Sequence, residues 1–333
     1  MQTFALVRPD SVSLASEAWR DGDAFLAGGT DLLQLMKNNV VAPRRVIDLD
    51  RVGLCDIAVD RDTPAGETLV LGARCSMAEV AEHRAVRTGW PAISQALLAS
   101  ASPQVRNMGT VGGNLLQRTR CGYFRDTGFA CNKRQPGSGC PALRGDNREL
   151  AIFGGGAHCI ATHPSDLPVA LMALDAEVTL AASGGGTRRL KLAEFYRLPG
   201  DTPQIETALR PGELIVKVDV PASPFARQSC YLKIRDRASF AFALVSAAVG
   251  LDLAGGIIRD ARVALGGVAP MPWRLPRVEA ALRGQPPDSA ALEAAAAQAG
   301  DGAAGAGGND FKIELARRVV LRGLQTLVDR EDL

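Results

Sequence analysis

The sequence predicts an α+β fold made of three successive units. Residues 1–53 follow a strand–helix–strand pattern, and residues 54–222 combine alternating apolar strands with short amphipathic helices. Three strand-like runs followed by three helical runs fill residues 227–330, an order typical of α+β domains. Two prolines, small residues and a lack of periodicity indicate a domain boundary at Pro221–Gln228, before this last unit.

Composition excludes several function classes. The chain has 333 residues, of which 47% are hydrophobic and 22% charged, as is typical of a globular protein with a sizeable core. A formal net charge of +2 and an aromatic content of 5% give no indication of a nucleic-acid surface. No run of about 18 apolar residues is present, so we expect no membrane insertion.

The N-terminal sequence predicts where the chain is made. It lacks a charged segment followed by the long apolar run of a secretory signal. We therefore expect a cytoplasmic protein, or a periplasmic one if a signal-bearing partner exports the folded complex.

The first unit contains a glycine-rich turn, Ala27–Asp31, which we call the first glycine turn. It joins an apolar strand to a helix, with Thr30 as the predicted N-cap. Apolar residues follow at helical spacing, at Leu32, Leu33, Leu35 and Met36, and Pro43–Asp50 predicts a further strand. Such a turn directs backbone N–H groups at one point and suits a pyrophosphate. An ordinary strand-to-helix turn has the same sequence pattern, and the GxGxxG fingerprint of a Rossmann fold is absent.

The second unit begins with a predicted hairpin over residues 54–75, around the turn TPAGE. The other predicted elements are a helix over 76–86 that starts from a capping box at Ser76, a helix over 89–102, a helix over 166–176, a hairpin over 177–191 that leads into a helix at about Leu192, and a strand over 213–221.

The third unit is predicted to contain three antiparallel strands and then helices over 276–284, 287–300 and 310–329. Glycine and alanine dominate the segment between the last two helices, GDGAAGAGGND. We expect this segment to be a mobile loop.

Seven cysteines are too few for a disulfide scaffold in a chain of this length. Cys55, Cys75 and Cys230 lie in apolar or strand-like contexts, and we interpret them as small core residues. The other four, Cys121, Cys131, Cys140 and Cys159, follow the spacing C-x9-C-x8-C-x18-C. We call residues 118–160, which contain them, the cysteine insertion.

Four thiolates that converge on one point can hold a 4Fe-4S cluster. The loop between these cysteines is rich in glycine, proline and asparagine, so it can wrap around a cluster. Basic side chains nearby would offset the negative charge of a cluster, at Arg118, Arg120, Arg125, Lys133 and Arg134.

Spacing leaves two alternatives to the cluster open. The cysteine spacing matches neither the CxxCxxC run nor the plant-type pattern of ferredoxins. Zinc is the first alternative, with His158 and His163 as possible further ligands. Zinc ligands usually come in pairs two to four residues apart, and no pair is that close here. Reduced cysteines in an irregular loop are the second alternative.

A second glycine turn, Asn107–Asn114, allows backbone to approach a flat or anionic ligand closely, although a purely structural turn would look alike. In HPSDLP, Ser165 or Asp166 is predicted to cap a helix. Alternatively, the Asp166 carboxylate accepts a hydrogen bond from a ribityl or ribose hydroxyl. Lys233 and Arg235 share one strand face, which is either solvated or directed at a flavin carbonyl or phosphate. With three histidines and no G-x-S-x-G motif, no hydrolytic residues are predicted.

Four motifs together resemble the FAD-binding medium subunit of the xanthine dehydrogenase family of molybdenum hydroxylases. They are AGGTDL, NMGTVGGNL, PSDL and YLKIRDR, and the resemblance covers nearly the whole chain. The inserted CGYFRDTGFACNKRQPGSGCPAL is similar to the insertion that carries an extra 4Fe-4S cluster in medium subunits of bacterial molybdenum-dependent aldehyde oxidoreductases. A related insertion occurs in the medium subunit of 4-hydroxybenzoyl-CoA reductase.

This resemblance implies a two-lobed, PCMH-type FAD-binding domain. Lobe 1 would be residues 1–53, and lobe 2 residues 54–222 with the inserted iron–sulfur loop 118–160. Residues 227–330 would form a C-terminal domain with a three-stranded antiparallel sheet and a helix bundle.

The resemblance also implies the binding residues. The pyrophosphate of FAD would lie between the first glycine turn and Thr110–Asn114, with Asp166 near the ribityl or ribose and Lys233 near the isoalloxazine. The implied cofactor-binding set is Ala27, Gly28, Gly29, Thr30, Asp31, Leu32, Ser102, Asn107, Gly109, Thr110, Gly112, Gly113, Asn114, Asp166 and Lys233. The implied cluster ligands are Cys121, Cys131, Cys140 and Cys159.

The function implied by the resemblance is electron transfer. Electrons would pass from the 2Fe-2S centres of a small subunit through FAD to an external acceptor, and the aldehyde would be oxidised on a large molybdenum-cofactor subunit of the same heterotrimer. Alternatives are the medium subunit of a xanthine dehydrogenase or 4-hydroxybenzoyl-CoA reductase type of enzyme, a free-standing FAD oxidoreductase, and a non-catalytic zinc-binding assembly subunit.

Overall fold

A computed structural model describes residues 1–64 and 66–329. Ala65, in the predicted TPAGE turn, and residue 330, the predicted end of the third unit, lie outside the described residues. Among the described residues, no helix combines the length and apolar character needed to cross a membrane.

Residues 1–53 form a small parallel sheet with strand order β1-β3-β2. Its elements are β1 (Ala5–Val7), α1 (Val12–Ala18), β2 (Ala24–Leu26), α2 (Leu32–Lys37) and β3 (Arg45–Asp48). The predicted strand–helix–strand pattern is confirmed, and a further strand and helix precede it. The N-cap of α2 is Asp31 and not Thr30, because Thr30 lies in the turn before the helix.

Residues 54–222 contain a five-stranded antiparallel sheet with strand order β4-β5-β8-β6-β7. The strands are β4 (Ile57–Thr63), β5 (Gly66–Gly72), β6 (Glu177–Ala181), β7 (Thr187–Lys191) and β8 (Leu214–Pro221). The helices are α3 (Met77–Glu82), α4 (Arg84–Gly89), α5 (Pro91–Ala99), α6 (Pro103–Met108), α7 (Val111–Leu115), α8 (Gly122–Arg125), α9 (Leu167–Ala173) and α10 (Leu192–Phe195). Both predicted hairpins and the strand at 213–221 are confirmed.

The predicted helix over 76–86 is divided in two. The capping box at Ser76 is present, since its side chain accepts from the N–H of Glu79 and the Glu79 carboxylate accepts from the N–H of Ser76. His83, which has extended backbone angles, ends α3 and precedes α4. A single long helix was therefore wrong, because the apolar spacing continues across a residue that leaves the helix.

Residues 227–329 form a four-stranded antiparallel sheet with strand order β12-β11-β10-β9. Its elements are β9 (Ser229–Ile234), β10 (Val245–Ala254), β11 (Ile257–Gly266), β12 (Trp273–Arg274), α12 (Pro276–Leu282), α13 (Ser289–Ala296) and α14 (Phe311–Val328), with α11 (Pro224–Arg227) immediately before them. The three predicted strands and helices are confirmed. The two-residue β12 is an addition that is too short to produce a periodic pattern.

One apolar core joins the second and third units. Leu69 of β5 and Val218 of β8 pack in the same cluster as Leu97 of α5. The same cluster includes Tyr231 and Ala248 of the C-terminal sheet. The two units are therefore packed together through side chains and not only joined by the chain.

Two expectations about loops and cysteines were wrong. The segment 300–310, predicted to be mobile, is bonded to the cysteine insertion, because Ala304 N–H donates to the Ile152 carbonyl at 2.8 Å and the Asn147 amide donates to the Ala306 carbonyl at 2.9 Å. Cys55 is exposed and not a core residue, whereas Cys75 and Cys230 are buried as predicted.

Lys312, near the start of α14, is a buried lysine that also bonds to the cysteine insertion. Its Nζ donates to the carbonyls of Leu150 and Gly267 at 3.1 and 2.8 Å, and its side chain is fully buried. Burial lowers the pKa of Lys312 from 10.5 to about 7, and the charge of Glu149 only partly opposes this shift. The folded chain therefore binds this proton less tightly than the unfolded chain does.

This shift predicts a pH-dependent stability. Between pH 7 and 10.5 the unfolded state holds more protons at Lys312 than the folded state, so the contribution of Lys312 to stability rises with pH. The free energy of unfolding of the wild type, relative to Lys312→Met, should increase by at most about 1.4 kcal/mol per pH unit over this interval. Urea unfolding of both proteins at several pH values measures it, with exposed Lys191→Met as the control. A difference that does not change with pH would contradict the prediction.

Candidate functional site

The first and second glycine turns lie against each other. A Cβ atom on Gly28 would stand 1.7 Å from the carbonyl oxygen of Met108, so this contact requires glycine. Gly29 has a φ of +71°, in the left-handed region that favours glycine. The sequence AGG is therefore explained by a close backbone approach and by one left-handed residue.

Backbone donors remain free where the two turns meet. The N–H groups of Gly28, Gly29, Thr30 and Thr110 make no hydrogen bond to any other described residue. The Thr110 hydroxyl accepts from the N–H of Gly113 at 3.2 Å and so caps α7. Free N–H groups at the start of short helices are suited to an anionic ligand.

Two cavities adjoin this point, one on each side. The first cavity has a volume of about 550 Å³ and the second about 410 Å³. Thr30, Thr110 and Gly113 line both of them. Together the cavities suit an elongated ligand with an anionic middle, which is the shape of a dinucleotide such as FAD.

The two cavities differ in chemistry. Apolar side chains such as Phe25, Leu54 and Ile215 line the first, which suits a flat base. Acidic, basic and aromatic side chains line the second, including Asp166, Lys233 and Phe242. The first cavity also has charged residues in its lining, Asp31 and Arg118 among them, but the buried pair Asp166–Lys233 lines only the second.

Asp166 and Lys233 form the buried ion pair of the second cavity. Lys233 Nζ lies 2.8 Å from Asp166 Oδ2, and the two side chains are only 3% and 5% exposed. Asp166 is the N-cap of α9, but its side chain makes no capping hydrogen bond. The sequence predicted both residues for the site without predicting that they bond to each other.

Two further residues of this network were missed. The Ser100 hydroxyl donates to Asp166 Oδ2 at 2.7 Å, and the Tyr231 hydroxyl donates to Asp166 Oδ1 at 2.5 Å. Burial, followed by the charge of Asp166, raises the pKa of Tyr231 well above its ordinary value and keeps it a donor. A signal was available, because Tyr231 and Lys233 lie two residues apart on one face of β9.

The remaining predicted residues fall into three groups. Ala27, Leu32 and Gly112 line the first cavity, whereas Gly109 and Asn114 line the second. Ser102 and Asn107 line neither. Ser102 caps α6, where its hydroxyl accepts from the N–H of Val105 at 3.3 Å, and Asn107 is exposed.

Asp31 lines the first cavity, but both of its carboxylate oxygens have protein partners. Oδ2 accepts from the N–H of Arg118, and Oδ1 accepts from Arg125 and lies 3.0 Å from Arg120. These partners belong to the cysteine insertion. Burial lowers the pKa of Arg120, and the charge of Asp31 opposes that shift.

All four cysteines of the insertion line one small cavity, together with Phe124, Lys133 and His158. Burial raises the pKa of Cys121 to about 11 and raises those of Cys140 and Cys159. These groups are therefore neutral thiols on their own, and only a bound cluster or ion would stabilise them as thiolates. The set of four thiols fits an iron–sulfur cluster chemically.

The described residues contain no group of three or more His, Cys, Asp or Glu side chains placed to hold a metal ion. A cubane cluster distributes its four thiolates over four iron atoms, so they stand farther apart than the ligands of one ion.

The two histidines considered as zinc ligands differ in their surroundings. His158 borders the cysteine cavity, is half-exposed and lies 3.5 Å from Asp201. His163 lies elsewhere, where its ring contacts the Leu115 carbonyl at 3.2 Å and packs edge-on against Tyr196. Burial lowers the pKa of His163 to about 4, so it stays neutral near pH 7.

Comparison with known families covers almost the whole chain. Residues 2–223 match the family described as FAD binding domain in molybdopterin dehydrogenase. Residues 230–327 match the CO dehydrogenase flavoprotein C-terminal domain.

Individual relatives agree with these matches. The chain is 49% identical to the aldehyde oxidoreductase FAD-binding subunit PaoB of Escherichia coli strain K12 over 84% of this chain and 85% of that protein. It is 27% identical to the glyceraldehyde dehydrogenase medium chain of Sulfolobus acidocaldarius over 83% and 79% of the two chains. In structure it is similar to a chain of carbon monoxide dehydrogenase from Hydrogenophaga pseudoflava, with a TM-score of 0.75, 26% identity and coverage of 99% and 98%.

The contact between the glycine turns predicts a strong effect of one methyl group. In Gly28→Ala the new Cβ would overlap the Met108 carbonyl, so the turns must separate and the free N–H groups must move apart. We expect the dissociation constant for FAD to rise at least about 100-fold, with a loss of stability of about 1–3 kcal/mol. Flavin fluorescence titration measures the affinity. Gly186→Ala, at an exposed position with open space, is the control, and unchanged affinity in Gly28→Ala would refute the prediction.

Proposed function

This chain belongs to the FAD-binding subunits of the molybdopterin dehydrogenase family, which are oxidoreductases, and we propose that it is the subunit of a molybdenum-dependent aldehyde oxidoreductase that carries FAD and a 4Fe-4S cluster. The observation that carries the proposal is the combination of 49% identity to an aldehyde oxidoreductase subunit with four thiols around one cavity. In this proposal residues 1–53 and 54–222 are the two FAD-binding lobes, and residues 227–330 the C-terminal domain.

The free N–H groups of Gly28, Gly29, Thr30 and Thr110 would bind the FAD pyrophosphate. The apolar first cavity would then take the adenosine half, and the second cavity the isoalloxazine half. When bound, FAD would supply a redox centre that accepts electrons from partner iron–sulfur centres and releases them to an external acceptor.

Asp166 and Lys233 would position and tune that isoalloxazine half. The Asp166 carboxylate already accepts from Ser100, Tyr231 and Lys233, which fixes its orientation. A carboxylate has about four acceptor positions, so one is left for a ribityl hydroxyl. Lys233, with its charge buried in the same cavity, would stabilise negative charge on the ring.

Cys121, Cys131, Cys140 and Cys159 would bind the 4Fe-4S cluster. Their thiols are mostly buried, which excludes water and limits exchange of the metal. Burial raises the pKa of Cys159, and the charge of Lys133, buried beside it, partly opposes that shift and so favours the thiolate.

Substrate oxidation would take place on a partner. The relatives include named medium chains and a subunit of a dehydrogenase complex, which supports a large molybdenum-cofactor subunit and a small 2Fe-2S subunit as partners. We therefore propose a heterotrimer. The rival assembly-subunit hypothesis requires zinc in place of iron.

Metal analysis tests the proposal. The purified chain should contain about four iron and four sulfide per FAD, and Cys131→Ser should lose the iron but keep the FAD. Cys55→Ser, at an exposed cysteine outside the cavity, should keep both. Zinc without iron would refute the cluster, and Cys131→Ser that keeps its iron would show that Cys131 is not a ligand.

Removal of the buried cation tests the role of Lys233. In Lys233→Met, negative charge on the reduced flavin loses its partner, so the midpoint potential of bound FAD should fall by about 30 mV, or about 1.4 kcal/mol for two electrons. Spectroelectrochemical titration gives this potential. Lys217→Met, a half-exposed position paired with Asp219 on β8, should leave it unchanged. An unaltered potential in Lys233→Met would place the ring away from this residue.

A further inference from the structure

The carboxylate of Asp31 bonds to residues of the cysteine insertion and not to its own helix. Asp31 is the N-cap of α2, but within the described residues it makes no side-chain capping bond. Its Oδ2 accepts from the N–H of Arg118 at 2.9 Å, and its Oδ1 accepts from Arg125 Nη2 at 2.8 Å. Arg120 Nη2 lies 3.0 Å from the same Oδ1. All three partners lie where the insertion begins.

Hydrogen bonds continue from Asp31 to the first cysteine. Arg125 Nε donates to the Thr119 carbonyl at 2.8 Å, and Arg125 Nη2 donates to the Arg118 carbonyl at 2.9 Å. The Thr119 hydroxyl in turn accepts from the N–H of Cys121 at 3.2 Å. A short chain of bonds therefore connects the first glycine turn to the rim of the cysteine cavity.

Burial makes this connection stronger than a surface ion pair. The side chains of Asp31 and Arg125 are 13% and 14% exposed, so solvent and salt screen their attraction only weakly. A surface pair contributes about 0–1 kcal/mol, and removal of one partner from a buried pair costs more because the other charge stays unpaired.

On its other side, Asp31 is covalently joined to the pyrophosphate-binding turn. Gly28, Gly29 and Thr30, whose N–H groups are free, directly precede it in the chain. A displacement of Asp31 therefore displaces these donors. The two lobes on which FAD would lie are thus linked through a residue whose partners belong to the insertion.

We propose that Asp31 is a positioning residue that couples the two cofactor sites, so that the chain binds FAD more tightly with the cluster in place than without it. The inference rests on the proposed function, since it needs both groups. A bound cluster adds folding free energy to the insertion, which thereby holds its arginines against Asp31. Linkage requires that FAD stabilise the cluster by the same factor.

A double-mutant cycle on the full-length chain tests the coupling. FAD affinity is measured by flavin fluorescence in the wild type, Cys131→Ser, Asp31→Asn and the double variant. Loss of the cluster through Cys131→Ser should weaken FAD binding about tenfold in the wild-type background and less than about twofold in the Asp31→Asn background. Asparagine keeps one acceptor oxygen for the Arg118 N–H, but it removes the charge and the oxygen that accepts from Arg125. Far-UV circular dichroism checks that each variant is folded.

A spectroscopic readout separates coupling from a merely structural role. Addition of FAD should change the visible circular dichroism of the cluster in the wild type and not in Asp31→Asn. Asp31→Glu, which restores the charge, should recover part of the change. Asp48→Asn is the matched control, because Asp48 is also a lobe 1 carboxylate paired with an arginine, Arg8, at 3.4 Å.

The outcomes distinguish this inference from the proposed function. If iron and FAD are both present and Cys131→Ser weakens FAD equally in both backgrounds, or in neither, Asp31 does not couple the sites. If the wild type holds no iron, the cluster is absent and the coupling is refuted together with that part of the proposed function, as iron content shows directly.

Discussion

The site depends on one close contact, between the backbone of Gly28 and the carbonyl of Met108. No side chain fits there, since a Cβ at Gly28 would lie 1.7 Å from that oxygen. The contact brings a turn of lobe 1 and a turn of lobe 2 together, although 80 residues separate them in sequence. Thr30 and Thr110, which line both cavities, follow this contact closely in each turn, and the free backbone donors border it. The glycines therefore determine the site by permitting an approach, and the chemistry comes from the surrounding side chains.

Charge is organised around the same contact. The five basic residues that the sequence placed near the cysteines are not free counter-charges. Arg120 and Arg125 share Asp31, and Arg118 and Lys133 share Glu206, while Arg134 donates to backbone carbonyls. Four of these cations share two carboxylates and the fifth has only backbone partners, so the group as a whole carries a net positive charge. An anionic pyrophosphate and an anionic cluster would both be stabilised by that excess.

The sequence was most informative where a local pattern determines the structure. Strands such as β8 and the capping box at Ser76 follow from periodicity and from hydrogen bonds between near neighbours. It was least informative where distant residues decide: nothing in HPSDLP indicates that Asp166 bonds to Tyr231 and Lys233, 65 and 67 residues away. The break at His83 was missed because the apolar spacing continues through it. The segment 300–310 looked mobile by composition, and its bonds to the insertion come from residues about 150 positions earlier, which composition does not reveal.

Asp31 combines a role that its local sequence predicts with long-range contacts that only the structure shows. Its sequence context, AGGTDL, predicts a ligand-binding turn, and its carboxylate is nevertheless occupied by residues that begin about 90 positions later. In a chain without the arginines of the insertion, the same carboxylate would be mostly buried and unpaired, which is costly. The acidic residue and the insertion are therefore mutually dependent. The cysteine insertion is therefore not an independent module of this fold, because its docking uses the glycine turn on which the candidate FAD site depends.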